Sequence, residues 1–338
     1  MLPSGTMPTT HRDGADGPTL NELLHAASRT FAIGIDLLPE PLRSEIEIAY
    51  LLLRVSDYLE DNESMPADRK APLLASWVRV LRDEEPVDEL EAVLVAVPDQ
   101  TPDALVARNV RLVLDGFRDM HPVARDIIGR HVTDSTEGMA RWALRGPDIP
   151  DEAALDDYMH EVAGRVGWLL TELFADRIPE VAARRDDMMT LGREFGLALQ
   201  TVNVIRGLHS DWERGWVFVP DEYVPGRMLP GELFEEGRRT RAMEIEILDR
   251  LVPKAEAHLA AAQDYISVIP RRERGIRLFC LLPYLFAVRT LAISRKNPNV
   301  FEEETKITRK EVKSIYLWTR IFGGSNRWVA WYARRLAR

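Results

Sequence analysis

Apolar residues recur at helical spacing along almost the whole chain. The stretches predict helices over roughly 19 to 34, 40 to 62, 67 to 83, 101 to 118, 121 to 144, 152 to 175, 184 to 212, 231 to 269, 271 to 295 and 308 to 336. No two segments alternate as a strand pair requires. Breaks fall where proline and glycine cluster, as in Leu38-Pro39-Glu40-Pro41, Arg145-Gly146-Pro147, Val224-Pro225-Gly226 and Asn297-Pro298-Asn299. None is long enough for a flexible linker, so the pattern predicts one all-α domain over residues 19–338. No internal repeat at a solenoid period is present.

Two of these helices carry polar stripes on otherwise apolar surfaces. At about 100° per residue, Tyr50, Arg54, Asp57 and Asp61 share a narrow sector of the second helix, and Gln200, Asn203, position 207 and Asp211 share one on a later helix. The segment Ile46 to Val55 is apolar over most of its circumference, which suits a helix inside a large bundle. Charges buried there need partners, metal ions or a charged ligand. If the two stripes face each other they form an acidic site, and magnesium, which prefers carboxylate oxygens and keeps waters that a phosphate can replace, suits it. On periodicity alone, a solvated face explains the first stripe equally well, and Gln200 and Asn203 read as a core hydrogen-bonded pair. His209 lies opposite the second stripe and reads as structural.

Composition narrows the classes. Hydrophobic residues at 46% and charged residues at 29% describe a soluble globular chain, and the longest apolar run, Phe279 to Val288, contains a proline and is too short to span a bilayer. Residues 1–18, rich in Pro, Thr, Gly and Asp, read as a flexible tail rather than a signal peptide, which predicts a cytoplasmic protein. The lone Cys280 sits among apolar neighbours and reads as a buried, inert thiol. A net charge of −10 excludes a general nucleic-acid binder.

The ordered segments Ser28-Arg29-Thr30-Phe31, Tyr50 to Asp61, Gly138-Met139-Ala140, Tyr158 with Val162-Ala163-Gly164-Arg165-Val166-Gly167, Gly196 to Arg206, and Phe279-Cys280-Leu281-Leu282-Pro283 resemble the squalene/phytoene synthases. These form the head-to-head branch of the trans-isoprenyl diphosphate synthases, and the match runs from about Ser28 to Thr308. The resemblance implies an all-α isoprenoid synthase fold, a single large helical bundle around a central cavity. It implies that magnesium bridges Asp57, Asp61 and Asp211 to a prenyl diphosphate substrate, with Glu60 shaping the first motif. Ser28, Arg29, Arg54 and Arg206 would hold diphosphate oxygens. Tyr50, Gln200 and Asn203 would line the reacting end, where the allylic carbocation forms away from water. No glycine-rich nucleotide motif is present, and this family does not rely on one, so NADPH use stays open.

Three positions depart from the family pattern. The second motif reads Gly207-Leu208-His209-Ser210-Asp211, with glycine where the family begins with aspartate. Glu161 stands where squalene synthases carry a tyrosine implicated in proton handling, and is expected to act as a base near the cation. Trp216 stands where they carry a basic residue, which Arg214 could replace. The expected activity is a prenyltransferase that couples farnesyl diphosphate and stops early; the alternatives are a terpene cyclase and a catalytically silent homologue. Finally, Ile315 to Arg338 mixes tryptophans with arginines. It reads as an amphipathic helix capping the bundle, or as a peripheral membrane contact that would put the protein at a membrane surface.

Overall fold

A computed structural model describes residues 17–62, 65–226 and 228–338, without the side chains of Arg29 and Ala67. The tail expected over 1–18 therefore lies almost wholly outside the described residues. Sixteen α-helices follow in order among those described: α1 Leu20–Ala27, α2 Arg29–Ile35, α3 Leu42–Asp61, α4 Ala67–Leu81, α5 Asp88–Ala96, α6 Pro102–Arg108, α7 Val110–Arg118, α8 Pro122–Arg145, α9 Glu152–Met159, α10 Arg165–Ala175, α11 Pro179–Ala182, α12 Arg185–Glu213, α13 Arg241–Val268, α14 Arg274–Ser294, α15 Arg309–Phe322 and α16 Asn326–Leu336. No strand occurs among the described residues. The expected all-α isoprenoid synthase architecture is the one observed, and one buried apolar cluster runs from Leu23 to Ala333.

Local chemistry explains where single expected helices divide. Ser28 has extended backbone and caps α2, its hydroxyl accepting from the Phe31 amide, so 19 to 34 becomes two helices. Asn109 leaves helical geometry between α6 and α7. The stretch 231 to 240 is not α-helical: Pro230–Phe234 forms a 3-10 turn, Gly237 takes φ 75°, and Thr240 caps α13. Helix α5 is short and was not foreseen. Between α9 and α10, His160–Gly164 forms a π-helical turn, a local widening that often marks functional sites.

Two devices fix the helices that matter most. Ser56, fully buried on α3, shares a 2.7 Å hydrogen bond with Thr136 on α8 and accepts one from the Trp77 indole on α4 at 3.2 Å. That buried polar link sets the rotation of α3 about its axis, and with it the direction of Arg54 and Asp57. Glycines let α12 press against the chain that carries the π turn: a Cβ at Gly196 would lie 2.2 Å from the Ala163 carbonyl oxygen, and one at Gly167 would lie 1.9 Å from that of Gly192. Helix α14 is long and apolar enough to cross a membrane, with mean hydropathy 1.7, but 72% of that stretch is buried in the bundle, as expected of a core helix.

Candidate active site

The polar stripes of α3 and α12 line one cavity of ≈ 270 Å³ in part, since Asp61, Gly207 and Asp211 are not on its wall. Tyr50, Arg54 and Asp57 come from α3, and Gln200 and Asn203 from α12. The rest of the wall is mostly apolar, including Leu53, Val166, Leu170, Phe195, Leu199 and Phe279. Cys280 also lines it, and burial pushes its thiol up to about 12, so it behaves as the inert apolar group its neighbours implied. Beside the polar side stand Asp61 at the end of α3 and Asp211 near the end of α12, and Arg214 joins them: it pairs with Asp211 and reaches Asp61 at 3.7 Å. Trp216 stacks on Tyr158, whose ring also meets Phe218 and Trp142.

The carboxylates here are short of positive charge. Burial pushes Asp57 up to about 6 despite Arg54, and the charges of Asp61 and Asp103 push the same way. Burial likewise brings Asp211 up to about 6 against the pull of Arg214. Asp61 is raised by burial, and Glu60 is raised well above the carboxylate range by burial and then by Asp61 and Asp57. The phenol of Tyr158 is driven up by burial and next by Glu60, Asp61 and Asp211. A cluster that resists ionisation in this way attracts cations.

The arginines assigned to the diphosphate are already engaged. Arg54 donates to Asp57 at 2.8 Å and grips Asp103 of α6 with two of its nitrogens. Arg206 donates to Glu304 at 2.6 Å and to Asn203 at 3.1 Å. Asp103 and Glu304 were not foreseen, because neither lies on a stripe or in a quoted segment; only the fold brings them near. Ser28 spends its hydroxyl partly on the α2 cap and partly on Tyr50. The side chain of Arg29 lies outside the described residues.

Glu161 is expected from the sequence to act as a base near the cation. It is not among the residues lining the cavity, although Val162, Ala163 and Val166 are. The π turn directs its buried carboxylate toward α8, where Arg141 donates at 2.8 Å, Arg165 donates through two nitrogens, and Gly138 leaves room for it. Its carbonyl accepts from Ser135 at 2.6 Å. Two arginines neutralise a group that was expected to face the substrate.

Among the described residues no three Asp, Glu, His or Cys side chains converge closely enough to hold a metal alone. Magnesium does not require such a cage, because it commonly takes one or two carboxylates and completes its shell with waters and phosphate oxygens. Asp57, Asp61 and Asp211 offer hard oxygen donors of that kind, and Oε1 of buried Glu60 lacks a hydrogen-bond partner beside them. The residues fit the ion.

Comparison with known proteins gives a consistent result. The sequence profile described as Squalene/phytoene synthase matches residues 24–311. The chain is 28% identical over 311 residues to a squalene synthase of Schizosaccharomyces pombe, covering 88% of this chain and 63% of that one. A Botryococcus squalene synthase from Botryococcus braunii is also 28% identical, with 61% of its length covered, so the chain spans less than two thirds of these curated relatives. Among solved structures, the complex of TcSQS with the ligand E5700 superposes with a TM-score of 0.77 at 25% identity, over 94% of this chain and 90% of that one. A dehydrosqualene synthase in complex with a ligand shares the fold, with a TM-score of 0.60 at 15% identity, over 90% and 94% of the two chains.

Proposed function

Because the chain belongs to the squalene/phytoene synthase family, we propose that it is a magnesium-dependent prenyltransferase of that type. It ionises an allylic prenyl diphosphate, with farnesyl diphosphate as the expected substrate. It then condenses the cation head-to-head with a second molecule, releasing diphosphate and a proton to give presqualene diphosphate; a second ionisation would give a related hydrocarbon by loss of a proton, or squalene where NADPH supplies hydride. The observation that carries this reading is a charge-starved group of carboxylates, of which Asp57 lines a largely apolar cavity and Asp61 and Asp211 lie within electrostatic reach of one another.

Asp57, Asp61 and Asp211 are the candidate metal donors, two from α3 and one from α12. Magnesium, when bound, supplies the positive charge that makes diphosphate a leaving group. Arg54 and Arg206 are assigned to diphosphate oxygens, exchanging the carboxylates of Asp103 and Glu304 for them; Ser28 and Arg29 join them. Tyr50, Gln200 and Asn203 border the reacting end. The apolar wall excludes water, so a carbocation survives long enough to meet the second prenyl chain.

The test is product mass after incubation with farnesyl diphosphate and magnesium, with and without NADPH. A doubled carbon count is the expected result, borne by a diphosphate-bearing product when the first half-reaction is the last. Because reduction needs hydride, only a diphosphate-bearing product that persists with NADPH present would place the stop there; an unchanged carbon count would mean cyclisation or hydrolysis, and absence of diphosphate release would remove the activity altogether.

A further inference from the structure

Helix α15 has two apolar faces. Ile315 and Thr319 are buried against the bundle, and on the opposite side Leu317 and Ile321 stand exposed at 54% and 55%, with Trp318, 46% exposed, flanking them. The outward face of a capping helix is ordinarily polar. An aromatic chain continues the patch onto α16: Trp318 stacks on Phe322, Phe322 meets Trp328 at 5.7 Å, and Trp328 stacks on Tyr332 at 4.7 Å. Trp331 is 51% exposed, with the Arg335 guanidinium 6.0 Å from its ring centre.

The charge around this patch runs against that of the chain. Within a protein of net charge −10, residues 309–338 contain one acidic side chain, Glu311, which is paired with Arg289. Lys310, Lys313 and Arg320 are exposed on α15, and Arg327, Arg334 and Arg335 on α16. None of these six forms an ion pair with a described carboxylate, whereas Arg54, Arg111, Arg165, Arg177 and Arg206 elsewhere all do. At about 100° per residue, Arg327, Arg334 and Arg335 fall within about 60° of Trp331, so the rings and free cations share one side of α16. The platform is also firmly mounted. Buried Arg277 donates to the carbonyls of Ile266, Ile269 and Gly323 and to Asn326, which pins the turn between α15 and α16 onto α14.

We propose that the α15–α16 pair is a docking surface for an anionic lipid bilayer. Unpaired arginines meet the headgroup charge, and Leu317, Trp318, Ile321 and Trp331 enter the interface. A protein partner would need acidic groups matched one by one to these arginines, whereas a charged bilayer presents mobile ones. The surface lies on α14, the helix whose Phe279 and Cys280 line the cavity, so docking would place the site close to where oily molecules dissolve.

The test is flotation of the full chain with vesicles of phosphatidylcholine alone or with added phosphatidylglycerol. The protein should float with the anionic vesicles, weakly with the neutral ones, and less as salt rises. Removing Arg327, Arg334 and Arg335 with glutamine should weaken binding about fivefold per residue. Leu317→Ser with Ile321→Ser should weaken it at least about tenfold while leaving the melting temperature nearly unchanged, because both side chains are exposed. Failure to float with anionic vesicles, or flotation that both variants leave intact, would overturn the proposal. So would a dimer that the serine variant converts to monomer without any loss of flotation, because that identifies the face as a self-association surface.

Discussion

Two groups of carboxylates in this bundle differ in how their charge is met. At the polar side of the cavity, Asp57, Glu60, Asp61, Asp103 and Asp211 share Arg54 and Arg214, and burial leaves Asp57 and Asp211 up at about 6. Around α8 and α10 the balance is reversed. Glu172 pairs with Arg130, Arg185 and His131, and Glu161 with Arg141 and Arg165. Burial pushes Glu172 up as well, yet the hydrogen bonds from Arg130 and His131 bring it below the ordinary range. Burial alone therefore does not mark a functional carboxylate in this fold. On the proposed reading a shortage of cations does, because such a group costs stability in the empty protein and lowers that cost when it gains a positive ligand.

The largest effect belongs to the first group. Asp57→Asn or Asp61→Asn should reduce magnesium-dependent diphosphate release by about 10² to 10³-fold, the range for removing one preorganised electrostatic group, while the folded protein keeps its helical circular dichroism. Near-normal turnover in either variant would remove these residues from the proposed site. In the second group the balance of effects reverses: Glu172→Gln should destabilise the protein by about 2 kcal/mol, the cost of losing charge-assisted hydrogen bonds from a buried acceptor, and leave turnover per folded molecule unchanged. Thermal melts and activity measured on the same sample separate the two outcomes.

Acidity sharpens the comparison. The folded values of Asp57 and Asp211, about 6, lie above their ordinary value of 3.8. Their contribution to stability is therefore fully present below about 3.8 and is lost as pH rises through about 6. Glu172 is depressed, so its contribution is present above the ordinary glutamate value of 4.5 and is lost as pH falls through its lower folded value. His160, held down to about 4 mainly by burial, adds stability above 6.5 that is lost on acidification. The Asp57→Asn plus Asp211→Asn variant should therefore gain melting temperature over the parent at pH 7, keep only part of that advantage at pH 5, and lose it below about 3.8. Magnesium should raise the melting temperature of the parent more at pH 7 than at pH 5, and hardly at all in the variant.

Gly207 gives the smallest effect. A Cβ there meets the Ser210 hydroxyl at 3.4 Å and the nearer Asp211 oxygen at 3.5 Å, ordinary contacts that leave room for a side chain. Gly207→Asp should lower the magnesium concentration for half-maximal activity several-fold, and the added repulsion toward Asp211 should cost stability only when the metal is absent. An unchanged requirement would show that position 207 does not reach the ion.

The fold was legible in the sequence, but little of this contrast was. Helical periodicity is a local property, so α3, α8, α12 and α14 could be read directly, and the stripe of Asp57 on α3 and that of Gln200 and Asn203 on α12 followed from spacing, though spacing did not say what they face. Helix divisions at Ser28 and Asn109 depend on single backbone conformations that periodicity averages over. Asp103 and Glu304 could not be found because their meaning lies in which arginine they meet, a fact of tertiary packing. The arginine partners of Glu161 were hidden for a related reason. Its position in the family pattern pointed to the cavity, and a one-residue widening of the helix at His160–Gly164 accompanies a carboxylate directed at Arg141 and Arg165 instead.

That last residue supplies the most direct test. Inorganic diphosphate released from farnesyl diphosphate and magnesium should be measured side by side for the parent, Asp57→Asn and Glu161→Gln, each corrected for the folded fraction. The expected result is near-complete loss in Asp57→Asn and less than about a threefold change in Glu161→Gln, because a merely structural ion pair acts through stability rather than the barrier. Equal losses in the two variants, or activity retained by Asp57→Asn, would contradict the claim that unmet charge at the cavity distinguishes the working carboxylates from the structural ones.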